Sequence, residues 1–459
     1  MTKNPLLRVE GTKIVDGDGN NVILRGVALG GWMNMENFIS GYSANETFMK
    51  TLVLKAIGQE KFDLFFEAFL NAFFDDADAQ YLASIGMNCV RIPVNYRHFE
   101  DDAKPFIFKE EGFRHLDRVI DLLAKHGIYS VIDLHSLPGS QNHHWHSDNR
   151  TNVAAFWDHP HFQDRVVEIW KKFAAHYKGN PWVGGYNPMN EPADESRKVV
   201  GPLYSRLVHE IRAIDPDHIL FLDGNTYSTE MDIFDEVFEN TVYAAHDYAA
   251  PGLGGGGDYP GFTGDKYFDK NTIREQYLKR TEYCRKTNTP RWVGEFGPIY
   301  SGNEQKDVML RQLLEDQMDI FREDGAGWTI WMYKDIGRQG VVSVKKDTPY
   351  RKKFDAFVAK KFRLGADHWG SDGYGIKEVT EPFYKMMENE FPAYTPYPWG
   401  QFDWIRTLIL NLTVGQPMAF EYAEMLVGLT NEELVDLANS FKFENCEIRT
   451  SLVEQMQRG

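Results

Sequence analysis

The chain has 459 residues, 42% apolar and 25% charged, ordinary globular proportions that allow a large core. A formal net charge of −17 disfavours non-specific attraction to nucleic acid or to an anionic membrane surface. Its three cysteines, Cys89, Cys284 and Cys446, lie far apart with no CxxC spacing, which argues against a disulfide framework or a thiolate metal site.

Residues 1–5 carry no long apolar core of the signal-peptide kind, and no segment approaches the roughly 20 apolar residues that span a bilayer. A cytoplasmic location is the expectation. Residues 7–24 hold Asp16-Gly17-Asp18-Gly19 between two apolar runs, the pattern of a hairpin ahead of the first core strand. Short β-branched runs then alternate with helical patterns. The spacing predicts strands at Val22–Leu29, Asn88–Val94, Tyr129–Leu134, Val183–Asn190, Ile219–Leu222, Val242–His246, Trp292–Glu295 and Trp328–Met332. Each is mostly apolar and ends in a polar or glycine-rich turn, as a strand buried on both faces should.

Between them, Leu116, Val119, Ile120 and Leu123 in 113–125, and Val166, Ile169, Trp170 and Phe173 in 162–176, follow the i, i+3, i+4, i+7 spacing of amphipathic helices. Eight strands alternating with helices is the count that closes a parallel (β/α)₈ barrel. The barrel is assigned to residues 1–365. Residues 44–76, rich in Phe and Leu, read as a helical insertion after the first barrel strand. Residues 366–459 read as a mostly helical extension, with Thr430 and Glu433 placed to form a capping box. The insertion and the extension are the surfaces expected for any contact between copies of the chain. Gly252–Gly257 follows the sixth strand, where a loop over the barrel mouth would sit.

In such a barrel, working side chains come from the C-terminal ends of strands. Here those ends carry Arg91, Asp133-Leu134-His135, Asn190-Glu191-Pro192, His246-Asp247-Tyr248, Glu295 and Trp331, with Glu36 beyond the first. A charged group at the inner end of an apolar strand is costly unless paired or used. Glu191 and Glu295 end the fourth and seventh strands, which face each other across an eight-stranded barrel. One carboxylic acid that protonates a leaving oxygen and one carboxylate that attacks the anomeric carbon is what glycosidic-bond cleavage with retention requires. Beside that pair, Arg91 is expected to hold Glu295 ionised and Tyr248 to donate to it. Asn190 is expected to meet a sugar 2-hydroxyl, His135 and His246 to orient carboxylates or hydroxyls, and Trp331 to give a stacking floor.

His143, His144 and His146, with His135, match no helix-borne or zinc-finger ligand spacing, so no metal is expected. Without a GxGxxG after a strand or a Walker A segment, no nucleotide cofactor is expected either.

Taken in order, Val90-Arg91-Ile92-Pro93, Asp133-Leu134-His135, Asn190-Glu191-Pro192, His246-Asp247-Tyr248, Gly294-Glu295-Phe296-Gly297 and Trp331-Met332-Tyr333 resemble glycoside hydrolase family 5. The resemblance covers roughly Leu24 to Lys334. It implies Glu191 as acid/base and Glu295 as nucleophile, supported by Arg91, His135, Asn190, His246, Tyr248 and Trp331. Arg25-Gly26-Val27-Ala28-Leu29-Gly30-Gly31-Trp32 and Leu137-Pro138-Gly139-Ser140-Gln141-Asn142 resemble the exo-acting members, which implies that Glu36 and Asn142 line the pocket for the terminal sugar. Overall similarity to intracellular β-mannosidase-like members implies release of terminal β-mannose from short oligosaccharides. A β-glucosidase or exo-β-1,3-glucanase is the alternative within the class, and a non-catalytic sugar-binding barrel the alternative outside it.

Overall fold

A computed structural model describes residues 6–254, 256–367, 369 and 373–458. Two short strands, β1 (Arg8–Glu10) and β2 (Lys13–Val15), form an antiparallel hairpin. The hairpin lies in the predicted region, but its turn is Gly11-Thr12, with Gly11 at φ +59°, a left-handed conformation that glycine adopts without strain. Asp16-Gly17-Asp18-Gly19 makes the following turn instead, where the Asp16 carboxylate accepts the N–H groups of Asp18 and Asn20 at 2.9 Å each.

Eight parallel strands close into a barrel: β3 (Arg25–Ala28), β4 (Cys89–Asn95), β5 (Tyr129–Ser136), β6 (Val183–Asn187), β7 (Ile219–Asp223), β8 (Thr241–His246), β11 (Arg291–Glu295) and β12 (Gly327–Ile330). Between the sixth and seventh of these, a small hairpin forms from β9 (Gly261–Thr263) and β10 (Lys266–Phe268). All eight predicted barrel strands are present, each within a few residues of its expected ends. The helices Glu111–Lys125 and Pro160–Tyr177 bury the predicted apolar stripes.

Residues alternate across a strand, and that alternation sorts the barrel interior into layers. The lower layer is apolar: Cys89, Val131, Phe221, Ala244 and Trp292 pack together with Leu7 and Ile14 of the hairpin, which plugs the lower end. Two residues further along the same strand faces stand Arg91, Asp133, Asp223 and His246, all buried. Chemistry therefore occupies the upper end of the same inward face that provides packing below.

The insertion is three helices, Glu46–Ile57, Gln59–Phe73 and Asp76–Ser84. It is pinned to the mouth by the Trp32 indole N–H, which donates to the Leu70 carbonyl at 2.8 Å. After β12, strands β13 (Lys334–Asp335) and β14 (Val342–Val344) pair in parallel, and β15 (Cys446–Ile448) adds antiparallel to β14. The Lys334 ammonium, fully buried, donates to the carbonyls of Phe73 and Phe441 and meets Asp78, each at 2.7 Å. One cation thus ties the insertion, the barrel end and residues near the end of the chain together. Helix Asn431–Asn439 begins with the expected capping box between Thr430 and Glu433. Among the described residues, no helix is long and apolar enough to cross a membrane.

Candidate active site

The upper layer opens into a cavity of about 400 Å³ lined by Glu36, His135, His146, Glu191, His246, Tyr248, Glu295 and Trp331, among others. One oxygen of Glu191, one of Glu295 and one nitrogen of His246 all lie within 4.8 Å of one another. Glu295 ends β11 beside a register shift in its pairing with β8. Its two oxygens are both engaged: Arg91 donates to Oε1 at 2.6 Å, and the Tyr248 hydroxyl donates to Oε2 at 2.9 Å. Gly297 follows at φ +128°, which a side chain would strain.

Arg91, with no exposed surface, spans four partners. Besides Glu295 it donates to Asn187 Oδ1 at 3.0 Å and Asn190 Oδ1 at 2.7 Å, and it stands 3.1 Å from Asp133 Oδ2. Burial pushes the Asp133 carboxyl up to about 7, against the pull of Arg91. Asp133 in turn holds His135 Nδ1 at 2.7 Å. Burial keeps His135 neutral, well below the ordinary histidine range. Its Nε2 faces Glu36 Oε1 at 3.3 Å. Burial, with Glu295, Glu191 and Asp367 nearby, raises Glu36 well above the usual carboxylate range. The His135 ring stacks on Trp331 with centroids 5.3 Å apart and planes 8° apart, which fixes the indole as a wall of the cavity.

Glu191 has φ +45°, a left-handed conformation that costs a non-glycine residue about 1–3 kcal/mol and collects at functional sites. Its N–H is held by Asp223 Oδ2 at 3.0 Å. Each of its carboxylate oxygens meets an imidazole: His246 Nδ1 lies 2.7 Å from Oε1 and His146 Nε2 lies 3.0 Å from Oε2. Burial alone would raise Glu191, but the bonds from His146 and His246 outweigh it and draw its pKa below the ordinary value. His246 moves the other way. Burial lowers it, yet Glu295, Asp223 and Glu191 surround it and hold it up at about 9. The tightly coupled Glu191–His246 pair therefore holds one proton across neutral pH, resident on the imidazole.

Every residue expected at the site falls within this network, though not every one lines the cavity. Asn190 and Arg91 lie beneath it. Asn142 is fully buried, and its amide meets the Glu191 carbonyl at 3.1 Å and His146 Nε2 at 3.0 Å, so it braces Glu191 from behind. The loop histidines set aside as metal ligands are accounted for in part: His146 serves Glu191, and His144 stands 3.5 Å from Asp403. Glu191, His246 and Glu295 are the one set of three close metal-type donors among the described residues. A cation there would face the Arg91 guanidinium already on Glu295.

Sequence reasoning missed His146, Asp223 and Asn187, which act through other side chains, and the aromatic wall beyond. Trp369 presents its edge to Tyr248 at 5.2 Å, lies 6.4 Å from Phe38, and donates its indole N–H to Gln339 at 2.8 Å. Phe38 meets Trp145 at 5.8 Å. Tyr227 and Trp399 also line the cavity. The Gly252–Gly257 loop contributes Leu253 and Gly254 to the cavity; Gly255 lies outside the described residues.

The family model described as Cellulase (glycosyl hydrolase family 5) matches residues 55–337. The chain belongs to glycoside hydrolase family 5. A β-xylosidase from Phanerodontia chrysosporium is 45% identical to this family 5 chain over 461 residues, 97% of the chain and 96% of the relative. A probable glucan 1,3-β-glucosidase A from Aspergillus fumigatus is 26% identical, over 70% of the chain and 85% of the relative. Among solved structures, an endogalactoceramidase superposes with a TM-score of 0.54 at 16% identity, covering 72% of this chain and 75% of that one. Thermotoga maritima Cel5A in complex with mannotriose gives 0.51 at 16% identity, covering 70% and 92%. Those two structures share the barrel fold with the family 5 chain.

Proposed function

We propose that this glycoside hydrolase is exo-acting and retaining, releasing one β-linked pyranose by double displacement. Glu295 attacks the anomeric carbon as the glycosidic bond breaks, and Glu191 relays the proton it shares with His246 to the departing oxygen. A glycosyl ester on Glu295 results. Water then attacks the same carbon, loses a proton to Glu191 and frees Glu295, so two inversions leave the configuration unchanged. The observation that carries this reading is the approach of the two carboxyl groups to within 4.8 Å, the spacing of about 5 Å used by retaining enzymes and too short for the intervening water of inversion. The exo reading rests on the likeness of the Arg25–Trp32 and Leu137–Asn142 stretches to exo-acting members, with Glu36 lining the cavity.

The whole-length likeness to a β-xylosidase favours a β-xylosyl unit in the glycone site. The mannosyl preference expected from the sequence is the competing reading, carried by the Arg25–Trp32 and Leu137–Asn142 stretches. A panel of p-nitrophenyl β-xyloside, β-mannoside and β-glucoside decides it, with proton NMR of the first sugar released. The xyloside should have the highest kcat/KM and the β-anomer should appear first. A faster mannoside would reverse the glycone assignment, and α-anomer first would overturn the double displacement.

The pH profile carries a second expectation. The proton shared by Glu191 and His246 is the one delivered to the leaving oxygen, and the raised pKa of His246, about 9, governs its loss. A raised pKa means the protonated, active pair persists below it and disappears as pH rises through it. The kcat/KM profile should therefore hold through neutral pH and fall on the alkaline side near that value. An alkaline limb at or below pH 6.5, where free imidazole titrates, would show that the pair does not hold the catalytic proton.

A further inference from the structure

Beside Glu191 the cavity is lined by a further set of rings. The departing group must leave on the side of Glu191, the group that protonates it. On that side His146 Nε2 lies 3.0 Å from Glu191, and the His146 ring is 6.0 Å from Tyr227. Tyr227 is in turn 5.5 Å from Trp399, with planes 42° apart. A line of rings thus runs outward from the proton donor to an indole in the C-terminal extension.

Two features mark this as a built surface. Thr226, Tyr227 and Ser228 all have positive φ, at +51°, +59° and +59°. Consecutive left-handed non-glycine residues are unfavourable and persist only where surroundings hold them. The surroundings here include the extension itself: the Thr226 and Tyr397 hydroxyls are 2.8 Å apart, and Asp403 approaches His144 at 3.5 Å. Trp399 nevertheless stays 48% exposed while lining the cavity, so a large apolar face is held open toward the exit, with Asp403 and Arg406 on the same rim.

The geometry points to Trp399 as the platform of an aglycone subsite that takes a second pyranose ring, assembled by residues 397–406 against the left-handed turn at Tyr227. The flat apolar face suits the axial C–H face of a sugar, and the carboxylate and guanidinium at its rim supply the directional bonds that hydroxyls require. The natural substrate is then at least a disaccharide. This rests on the reading of Glu191 as the proton donor.

The test compares leaving groups. A β-glycosyl fluoride carries no aglycone ring, whereas the β-1,4-linked disaccharide of the same sugar does. In Trp399→Ala, kcat/KM for the disaccharide should fall about tenfold further than for the fluoride, the worth of one aromatic contact, and Trp399→Tyr should recover most of the loss. Equal losses on both substrates, or no recovery with tyrosine, would overturn the platform. Turnover of the fluoride by the unaltered chain tests the glycosidase reading separately, since it needs no second subsite. Calorimetric titration of xylobiose into Glu295→Gln, where hydrolysis is blocked, decides the platform without turnover. Binding weakened about tenfold by adding Trp399→Ala supports it; binding unchanged, or none to either variant, overturns it.

Discussion

Replacing Glu295 with alanine should lower kcat by roughly 10⁵-fold or more, the scale seen when an attacking nucleophile is removed. The physical reason is that its two oxygens are held by Arg91 and Tyr248, which fixes the direction in which the carboxylate points. The contrast with Glu191→Ala makes the experiment specific. That variant should lose 10²–10⁴-fold on a disaccharide, about the worth of general acid catalysis, and far less on an aryl glycoside whose leaving group needs no proton. Added azide should restore turnover of the aryl substrate in Glu191→Ala as a β-glycosyl azide and should yield no β-product with Glu295→Ala. Steady-state rates and product NMR check both. Equal sensitivity of the two variants to leaving-group acidity would exchange or cancel the roles.

The second large effect belongs to Arg91. In Arg91→Met, Asp133 and Glu295 lose their shared counter-charge inside the barrel, and breaking a buried ion pair from one side costs about 3–5 kcal/mol. Urea unfolding measures this. The loss should grow with pH. Asp133 already sits near 7 because it is buried, and without the guanidinium its folded-state pKa climbs further. A carboxyl whose folded pKa exceeds its unfolded value stabilises the fold while protonated and loses that contribution as pH rises through the folded pKa. The variant should therefore be closest to the parent at pH 5 and furthest at pH 8. On activity, kcat/KM should fall by on the order of 10²–10³, and Arg91→Lys should rescue little, because a point charge cannot span four partners as the planar fork does. A variant of parental stability at pH 8 would mean that the guanidinium does not neutralise these carboxylates.

The barrel and the centre of its site were legible because strand period and burial leave a plain trace. An apolar run ending abruptly in Arg91, Asp133, Glu191, His246 or Glu295 contradicts the rule that cores avoid charge, and several such contradictions in a barrel order converge on one place. Three things were not legible, each for a tertiary reason. His146 sits in an irregular loop with two other histidines, and nothing in the local spacing shows which of them turns toward Glu191. Asn142 looked like a pocket residue because the stretch containing it resembles pocket-lining segments, whereas its amide is drawn behind Glu191 by a backbone carbonyl. Nothing in the local sequence distinguishes Trp369 and Trp399 from other aromatics of a C-terminal extension. Only the docking of that extension, through β15 on β14 and through Lys334, turns them into the walls of the cavity. The hairpin turn was misplaced by a few residues because two glycine-containing turns follow each other closely, and the longer acidic one gave the stronger signal.

The layering of the barrel interior has a consequence for how such a protein changes over time. In its lower tier, hydrocarbon meets hydrocarbon, and persistence of the fold and persistence of the sequence favour the same residues. In the upper tier, a crowd of ionisable groups occupies ground that stability alone would give to leucine and valine, and Glu191 is bent there into a conformation it does not prefer. Selection for turnover and selection for durability oppose each other within two residues on a single strand, so inactivating changes to those carboxylates need not betray themselves by misfolding.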